Sequence, residues 1–420
     1  IRTTAAGRTD NQAADVLIVV AAGARLTAYI SAAATEIDTF GFFVQGAKRL
    51  LWLDRLVARG KAEATEVPPD LPLALAPPPR TPLRVDDHAL PYRVVRHPRF
   101  ISTRHGVPWY RWFLYRLHRE FAFDVLHCHS VYPTGFLGVL ARARLNVPAI
   151  ITSHGGDIAE SSRLLRKPAL PERHALAARE ADALIAISGF VCEGYRRLHP
   201  EAAPHDIPNG VDVATYAQPA VRPAGLPVDI APRDYLLFLG RLSHRKGADV
   251  LIDAVAAMKA GPRLLLVGDG GERAVLEQRT AALALGERVR FLGQVTGPAK
   301  TWLLQNAIAT VMPSREWEAF PLVVLESFAA GTPVIATRIP GLRELVAHGH
   351  TGWLVDPESP QALAQALHDV TADREAAQRV GEAARNHARA YDWSLIAARH
   401  LALYDKLIAH RATAHGEISA

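Results

Sequence analysis

The chain has 420 residues, of which 49% are hydrophobic and 21% charged, and this balance excludes wholesale disorder and low-complexity architecture. The length exceeds the size at which one hydrophobic core usually stops growing, so we expect two domains. The net charge is +6, and the whole excess lies in residues 1–210, which hold 26 Lys and Arg against 20 Asp and Glu. Such a basic half is compatible with nucleic acid, an anionic lipid surface or an acidic substrate.

The two cysteines, Cys128 and Cys192, are too few for a disulfide framework and lack the spacing of a metal-binding pair. They favour a reducing, cytoplasmic compartment. The longest early apolar run, residues 16–24, is about half of what a bilayer span needs, and no basic leader with a cleavage site precedes it. We therefore expect no signal peptide and no membrane helix.

The first half predicts a loose Rossmann-like domain over residues 1–208. Its strand-like runs are residues 15–21, 124–129, 149–153 and 183–188, and its helical patterns are residues 41–58, 109–121 and 132–143. A Pro-dense tract at residues 68–82 predicts an irregular surface loop. The Pro-rich segment at residues 218–233 predicts the linker to the second half.

The second half predicts a clearer Rossmann-like domain over residues 209–392, because short buried strands alternate with helical patterns as in a parallel, doubly wound sheet. The strands are residues 235–239, 263–267, 289–292, 308–312, 333–336 and 352–355, and the helices are residues 247–258, 272–285, 322–330 and 360–369. An Ala/Leu-rich helix at about residues 393–412 follows. We expect it to pack back on the first domain.

Open parallel sheets bind ligands at the carboxyl ends of their strands, so the segments that follow the strands are the candidate site. Arg241, Arg245 and Lys246 follow one strand where a helix begins, and such cations can bind a diphosphate without a metal. A solvated basic turn is the alternative. Gly268 opens a second tight turn from strand to helix, which by itself indicates little.

Two glutamates flank the start of the helix predicted at residues 322–330. Glu318 precedes the helix, Pro321 is suited to its first turn, and Glu326 lies about one turn inside it. A carboxylate that accepts two hydrogen bonds suits the cis-diol of a ribose. Glu326 stands among apolar residues, where an unpartnered charge is costly, so we favour a functional role over a solvated helix face.

In their order along the chain, these motifs resemble the large retaining glycosyltransferase group called family 4. The resemblance covers roughly residues 92–400. It is carried by Gly240-Arg241-Leu242, Lys246-Gly247, Gly268-Asp269-Gly270, the glutamates at 318 and 326, Gly331-Thr332-Pro333, and the upstream segments at residues 127–130, 152–157 and 207–212.

The resemblance implies the GT-B fold, an α/β architecture of two Rossmann-like domains with a cleft between them. The second domain would hold a nucleoside-diphosphate sugar, and the first would hold the hydroxyl acceptor. Arg241 and Lys246 would bind the donor diphosphate and stabilise its charge as the glycosidic bond breaks. Glu326 would bind the ribose hydroxyls, while Glu318 and His154, the latter from across the cleft, would reach the donor sugar.

Backbone and apolar positions complete the donor site that the resemblance implies. Their residues are Gly240, Gly268, Phe320, Pro321 and Leu322, the last three at the helix start, where backbone amides would add to phosphate binding.

The resemblance also implies transfer without a metal or any other cofactor, with Arg and Lys in the role of the cation. His127 and His129 share a strand face, but no third ligand is evident at suitable spacing, so we reject a metal site there. Retention of configuration could use a carboxylate nucleophile, with Asp157 and Glu318 as candidates. The behaviour of the family favours a front-face route, in which the departing phosphate deprotonates the incoming hydroxyl.

Two positions depart from the family pattern. Many relatives have a glycine pair after the first strand, and this sequence lacks it there; Gly41, at the start of the helix predicted over residues 41–58, is our candidate for its role. Ala319 replaces the glycine that commonly follows the first glutamate, and its methyl group would tighten the pocket.

The expected function is therefore transfer of a hexose-type sugar to a hydroxyl acceptor in surface polysaccharide or glycolipid assembly. A GT-B nucleotide-sugar epimerase and a catalytically silent sugar-nucleotide-binding protein remain alternatives. Nucleic-acid binding is disfavoured because no reader motif accompanies the charge. The helix at residues 109–119 mixes aromatic and basic side chains, so it either docks on the anionic inner face of the cell membrane or packs its aromatics in the core.

Overall fold

The computed structural model describes residues 107–418 except 163, 164, 225 and 259, together with five earlier strands. These strands are β1 (Val16–Val20), β2 (Gly41–Gly46), β3 (Arg49–Leu56), β4 (Arg93–Val94) and β5 (His97–Pro98). The chain forms two compact units, one containing the residues up to Pro208 and from Ile396 onward, the other Asn209–Leu395. The loop predicted at residues 68–82 lies outside the described residues.

The first unit is built on a sheet whose order is β4-β3-β2-β1-β6-β7-β8-β9, with β5 paired to β3. Strands β6 to β9 are parallel, whereas β1 runs antiparallel to β6. The further elements of this unit are α1 (Val107–Phe121), β6 (Val125–His129), α2 (Phe136–Leu145), β7 (Ala149–Ser153), α3 (Leu170–Glu180), β8 (Ala183–Ala186), α4 (Gly189–Leu198) and β9 (His205–Asp206). Strands β7 and β8 are buried along their whole length, as expected of parallel strands covered on both faces.

The second unit is a parallel sheet of order β12-β11-β10-β13-β14-β15 with helices between its strands. Its elements are α5 (Val213–Ala217), β10 (Tyr235–Leu239), α6 (Ala248–Ala257), β11 (Arg263–Val267), α7 (Arg273–Ala282), β12 (Val289–Gly293), α8 (Gly297–Asn306), β13 (Ala309–Met312), α9 (Leu322–Ala329), β14 (Val334–Thr337), α10 (Leu342–Leu345), β15 (Gly352–Val355), α11 (Pro360–Ala372) and α12 (Arg374–Ala388). The last helix, α13 (Trp393–Ile418), begins in this unit, and its residues from Ile396 belong to the first.

Two apolar cores cover the two faces of the second sheet. Successive residues of β10 show the division, because Leu237 packs with Phe328 of α9 on one face and Leu236 packs with Leu251 of α6 on the other. This alternation follows from the period of two in a strand. The predicted α/β class with parallel, doubly wound sheets is confirmed for this unit, and β6 to β9 repeat the pattern in the first.

Two sequence-based predictions are wrong. The helix expected over residues 41–58, with Gly41 at its start, is instead the antiparallel pair β2 and β3, because its aromatic and aliphatic runs pair with each other and with β1. Short apolar runs do not distinguish strand from helix by period alone. The segment at residues 218–233 is no linker, since Leu226 and Ile230 are buried in the core of the second unit. Among the described helices, none has both the length and the apolar character that a bilayer crossing needs.

Candidate functional site

The turns that follow β10 and β11 pack backbone against backbone. The Gly240 amide donates to the Val267 carbonyl at 2.9 Å, and the Leu242 amide donates to the Asp269 carbonyl at 3.0 Å. Gly268 has a φ of +137°, and a Cβ there would lie 1.8 Å from the Gly240 carbonyl oxygen. Only glycine fits at position 268, so the packing of the two turns accounts for a residue that by itself indicated little in the sequence.

The basic turn after β10 ends in a single 3₁₀ turn, His244–Lys246, fixed against the end of β13. Gly247 has a φ of +65°, and a Cβ there would lie 2.0 Å from the Pro313 carbonyl oxygen. Arg315 also holds the turn, because its guanidinium donates to the His244 carbonyl at 2.7 Å and to both carboxylate oxygens of Asp249 at 2.7 Å. Although burial opposes it, this contact lowers the pKa of Asp249.

Arg315 was missed in the sequence, since it lies in no pattern and its partner is 66 residues away. Only the fold brings a cation after β13 to a carboxylate on α6.

The half-buried Lys246 and the buried Glu318 form an ion pair after the carboxyl ends of β10 and β13. The Lys246 Nζ lies 2.7 Å from Glu318 Oε1, Ser314 Oγ donates to the same oxygen at 2.7 Å, and Arg245 Nη1 lies 3.8 Å from Oε2. Glu318 is only 5% exposed, and burial alone would raise its pKa. The two cations and the hydrogen bonds outweigh burial and lower the pKa of Glu318, so the carboxylate is ionised at neutral pH.

The remaining predicted residues of the donor site lie in the turn after β10 and at the start of α9. Arg241 is exposed in the turn after β10, and Phe320 is half-buried with its ring centroid 6.0 Å from that of Tyr391. Pro321 is the N-cap of α9, one position earlier than the first-turn site that the sequence favoured, and Leu322 is the first helical residue. The first amides of a helix have no acceptor within it, so this end of α9 presents N–H donors.

Glu326 projects from α9 with one carboxylate oxygen paired and the other unpaired. Its Oε1 lies 2.6 Å from Lys300 Nζ of α8, while Oε2 is buried without a hydrogen-bond partner among the described residues. Glu326 is 9% exposed. Burial and then the nearby Glu326 carboxylate raise the pKa of Tyr216 of α5. Lys300 was not predicted, because a lysine on a helix carries no local signal of its partner.

His154 lies in the first unit, directly after β7. It is partly buried, and its Nε2 lies 2.7 Å from His129 Nδ1 of β6. Burial lowers the pKa of both histidines, so both are neutral at pH 7. Both nitrogens of the adjacent His127 are hydrogen-bonded, to the Tyr404 hydroxyl at 2.5 Å and to Thr152 Oγ1 at 2.7 Å.

Asp157, one of the two candidate nucleophiles, is 1% exposed and fully engaged. Its Oδ1 accepts from Ser153 Oγ at 2.5 Å, and its Oδ2 accepts from the Val131 amide at 2.5 Å and from Ser130 Oγ at 3.3 Å. These bonds tie the segment after β6 to the segment after β7. The arrangement is that of a structural anchor, so Asp157 is not placed for nucleophilic attack.

The structure therefore brings two pairs of the predicted residues into contact. Gly240 and Gly268 touch, Lys246 and Glu318 form an ion pair, and Glu326 lies on the helix that begins just after Glu318. Gly41 lies in β2 of the first unit.

Two family profiles match this chain. The profile described as Glycosyl transferases group 1 matches residues 230–387, and the profile described as Glycosyltransferase Family 4 matches residues 72–215. The first match includes Lys246, Glu318 and Glu326, and the second includes His129 and His154.

Characterised relatives share about a third of their aligned residues with this chain. A D-inositol 3-phosphate glycosyltransferase of Jonesia denitrificans is 30% identical over 311 residues, covering 68% of this chain and 72% of the relative. A phosphatidyl-myo-inositol mannosyltransferase of Mycolicibacterium smegmatis is 32% identical over 294 residues, covering 67% and 71%. A glycogen synthase of Mycobacterium tuberculosis is 31% identical over 290 residues, covering 67% and 68%.

Solved structures support the fold. A sucrose-phosphate synthase from Thermosynechococcus elongatus superposes with a TM-score of 0.69 at 25% identity, covering 94% of this chain and 96% of that chain. HepE of Anabaena, in complex with UDP and glucose, has a TM-score of 0.63 at 24% identity, covering 76% of this chain and 87% of that chain.

Proposed function

Because this chain belongs to glycosyltransferase family 4 and has the GT-B fold, we propose that it moves a sugar from a nucleoside-diphosphate sugar to a hydroxyl acceptor with retention of anomeric configuration. The predicted family, fold and enzyme class are confirmed by these likenesses. The donor, the acceptor and the stereochemistry belong to the proposal, as do the roles of the individual site residues.

The observation that carries the donor site is the buried, unpartnered oxygen of Glu326. A buried carboxylate oxygen without a donor is costly, so its lone pairs favour a ligand that brings one. Lys300 neutralises the charge through Oε1 and leaves Oε2 available. A ribose hydroxyl is the donor proposed for this oxygen, since carboxylates have that role in other nucleotide-binding Rossmann units.

The donor diphosphate is proposed to bind Arg241, Lys246 and the first amides of α9. When the bond from the anomeric carbon to the diphosphate oxygen breaks, negative charge grows on that oxygen. Fixed cations and N–H dipoles stabilise this charge without reorganising, which is the largest contribution available to such a site. Gly240 and Gly268 would let the turns approach the phosphates closely.

The stereochemical part of the proposal is a front-face route. Glu318 is held by Lys246 and Ser314, and Asp157 is buried in its anchor network, so neither carboxylate is placed as a free nucleophile. The oxygen of the departing phosphate would instead take the proton of the acceptor hydroxyl as that hydroxyl bonds to the anomeric carbon. Glu318 and His154 would contact the hydroxyls of the donor sugar.

Release of nucleoside diphosphate from a panel of nucleotide sugars tests this function directly. The panel would be chosen by thermal stabilisation with UDP, GDP and ADP and their sugar conjugates, because a ligand that binds the folded state raises its melting temperature. We expect acceptor-dependent release of the diphosphate that continues in excess EDTA. Abolition of turnover by the chelator would contradict metal-independent transfer, and the absence of binding by every nucleotide would contradict the donor site.

The two alternative functions would give products that differ from those of a transferase. A nucleotide-sugar epimerase would convert the donor when no acceptor is present, whereas a catalytically silent binding protein would be stabilised by the nucleotide and convert nothing. Incubation of the donor alone, followed by chromatography of the sugars, separates these two from the transferase.

For the acceptor side, we propose contact with an anionic membrane at the cytoplasmic face and an acceptor from surface polysaccharide or glycolipid assembly. Helix α1 buries Tyr110, Leu114 and Leu117 but leaves Trp112 53% exposed, with the Arg116 guanidinium 5.8 Å from the Trp112 ring centroid. Both sequence interpretations of this helix thus have support, since one face is core and the other is aromatic and basic. Flotation with anionic vesicles tests the contact, and a protein that stays at the bottom of the gradient would refute it.

A further inference from the structure

The first unit contains a row of four neighbouring histidines, buried or partly buried, with His154 at one end. His127 and His129 of β6 have ring centroids 4.7 Å apart, and His129 and His154 have centroids 5.0 Å apart with nearly parallel planes. On the other side of His127, His400 of α13 has its centroid 5.7 Å away. His154 therefore lies at one end of the row, and His129 is the member that touches it.

The contact between His129 and His154 requires a proton on one of the two nitrogens that face each other. His129 Nδ1 and His154 Nε2 are 2.7 Å apart, so one nitrogen must carry hydrogen and the other must accept it. Burial lowers the pKa of both rings, and neutral imidazoles each carry a single N–H. Two arrangements remain, in which either His129 or His154 is the donor.

The second nitrogen of His129 distinguishes the two arrangements. His129 Nε2 is buried and has no hydrogen-bond partner among the described residues. If His154 donated, the proton of His129 would sit on this nitrogen as an orphaned buried N–H. If His129 donates from Nδ1, Nε2 holds only an unfilled lone pair. Orphaned buried N–H groups are the rarer of the two in proteins, because a donor has a single, directed bond to lose.

We propose that His129 is a positioning residue that fixes His154 as its Nδ1–H tautomer, so that His154 presents an N–H group to an oxygen of the donor sugar. The second half of this statement rests on the proposed role of His154 in transfer. His154 is partly exposed, and no described residue bonds to its Nδ1. An N–H group can donate to any sugar oxygen that has a lone pair, whereas an unprotonated ring nitrogen can only accept and would need a hydroxyl proton.

Histidine ¹⁵N spectra of the ligand-free protein test the tautomer without reference to activity. Long-range ¹H–¹⁵N correlations distinguish a protonated ring nitrogen from a bare one, and loss of a signal in His154→Gln assigns it. We expect His154 to be protonated at Nδ1, which is opposite to the preference of free histidine in water. Protonation at Nε2 would overturn the proposal.

Three variants test the influence of His129. In His129→Leu, His154 should shift toward the Nε2–H form, whereas His129→Asn, whose amide can donate from the place of Nδ1, should keep the Nδ1–H form. His199→Leu is the matched control, because it removes a similar bond, 2.9 Å from His174 Nδ1 to His199 Nε2, in the same unit. We expect this control to leave the His154 signals unchanged. Unchanged signals in His129→Leu would also overturn the proposal.

Kinetic measurements test the positioning role of His129 separately from the proposed transfer reaction. Loss of one sugar hydrogen bond should lower kcat about tenfold in His129→Leu, with partial rescue in His129→Asn and unchanged binding of the free nucleoside diphosphate. Wild-type kcat in His129→Leu, with the tautomer shifted, would refute the positioning role while leaving the donor site intact. If the wild-type protein binds no nucleotide, the proposed function is refuted instead. The ¹⁵N spectra would still show which ring nitrogen of His154 is protonated.

Discussion

The candidate site residues of the two units differ in charge. In the second unit, Lys246, 2.7 Å away, helps to lower the pKa of the buried Glu318 and keep it charged, and Glu326 lies 2.6 Å from Lys300 Nζ. In the first, burial lowers the pKa of His127 and His129, and neither has a carboxylate partner among the described residues to offset it. The difference teaches that the second unit can meet an anionic diphosphate with fixed charge, whereas the histidine row can offer only neutral hydrogen-bonding groups.

The largest effect should come from breaking the ion pair at the end of β10. We expect Lys246→Met to lower kcat by about 100- to 1000-fold, because a fixed charge that stabilises the departing diphosphate is lost. Steady-state kinetics measure the change. Arg279→Met is a control, since it removes an exposed pair with Asp253 and should leave kcat near its wild-type value.

The same pair also affects folding, because Lys246→Met leaves Glu318 buried without its closest cation. In the double variant Lys246→Met, Glu318→Gln the melting temperature should recover toward the wild-type value while kcat stays low. Full recovery of kcat in the double variant would show that the lysine only stabilises the fold.

The glycine contact between the two turns should have the next largest effect. Gly268→Ala places a methyl group 1.8 Å from the Gly240 carbonyl oxygen at a φ of +137°, so we expect a loss of at least about 3 kcal/mol in the free energy of unfolding. Urea titration measures it. Gly286→Ala is the matched control, because a Cβ there has no atom within 4 Å. Equal stability of the two variants would contradict the packing of the turns.

Mild acid should destabilise the first unit more than the second. Burial lowers the pKa of His400 from its usual 6.5 to about 4, so folding opposes protonation. The stability that is present above pH 6.5 is therefore lost as the pH falls toward 4. His400 alone should cost the first unit about 2 kcal/mol at pH 5. Glu318, whose pKa is lowered, remains ionised in this window.

Hydrogen exchange of the β6 and β7 amides at pH 7 and pH 5 measures this loss in the first unit. His400→Leu should flatten the pH dependence, and His368→Leu, at an exposed position on α11, should not. An equal pH dependence in His400→Leu and the wild type would contradict the neutral state assigned to the row.

The smallest effect should come from Lys300. We expect Lys300→Met to weaken binding of the nucleoside diphosphate about tenfold, because Glu326 loses the partner that fixes Oε1. Lys300→Arg keeps the charge and should retain most of the affinity. Calorimetry measures both, and wild-type affinity in Lys300→Met would separate Lys300 from the site.

Much of the fold of the second unit could be predicted from local sequence, because its strands are short apolar runs and tight turns between them need glycine. The strands at 235–239, 263–267 and 352–355 have the predicted bounds. Glu326 was found because a charge inside an apolar helix is costly without a partner, and Glu318 because it lies in the strand-end loop just before that helix. Helix α8 was missed, since its apolar residues lack a clear helical face.

Contacts distant in sequence account for the errors. The pairing of β2 with β1 and β3 decides between strand and helix at residues 41–58, and no local pattern encodes it. The burial of Leu226 and Ile230 likewise depends on the surrounding helices, whereas prolines alone suggested a linker. Lys300, Arg315 and the bond between His129 and His154 became visible only when the fold placed their partners.

The central claim, that Glu326 holds the ribose of a donor nucleotide, is tested most directly by calorimetry with paired ligands. The tightest-binding nucleoside diphosphate among UDP, GDP and ADP would be compared with its 2′-deoxy form in the wild type and in Glu326→Gln. We predict that the deoxy form binds about tenfold more weakly to the wild type, and that this penalty shrinks in Glu326→Gln. An equal penalty in both proteins, or none in the wild type, would contradict the account.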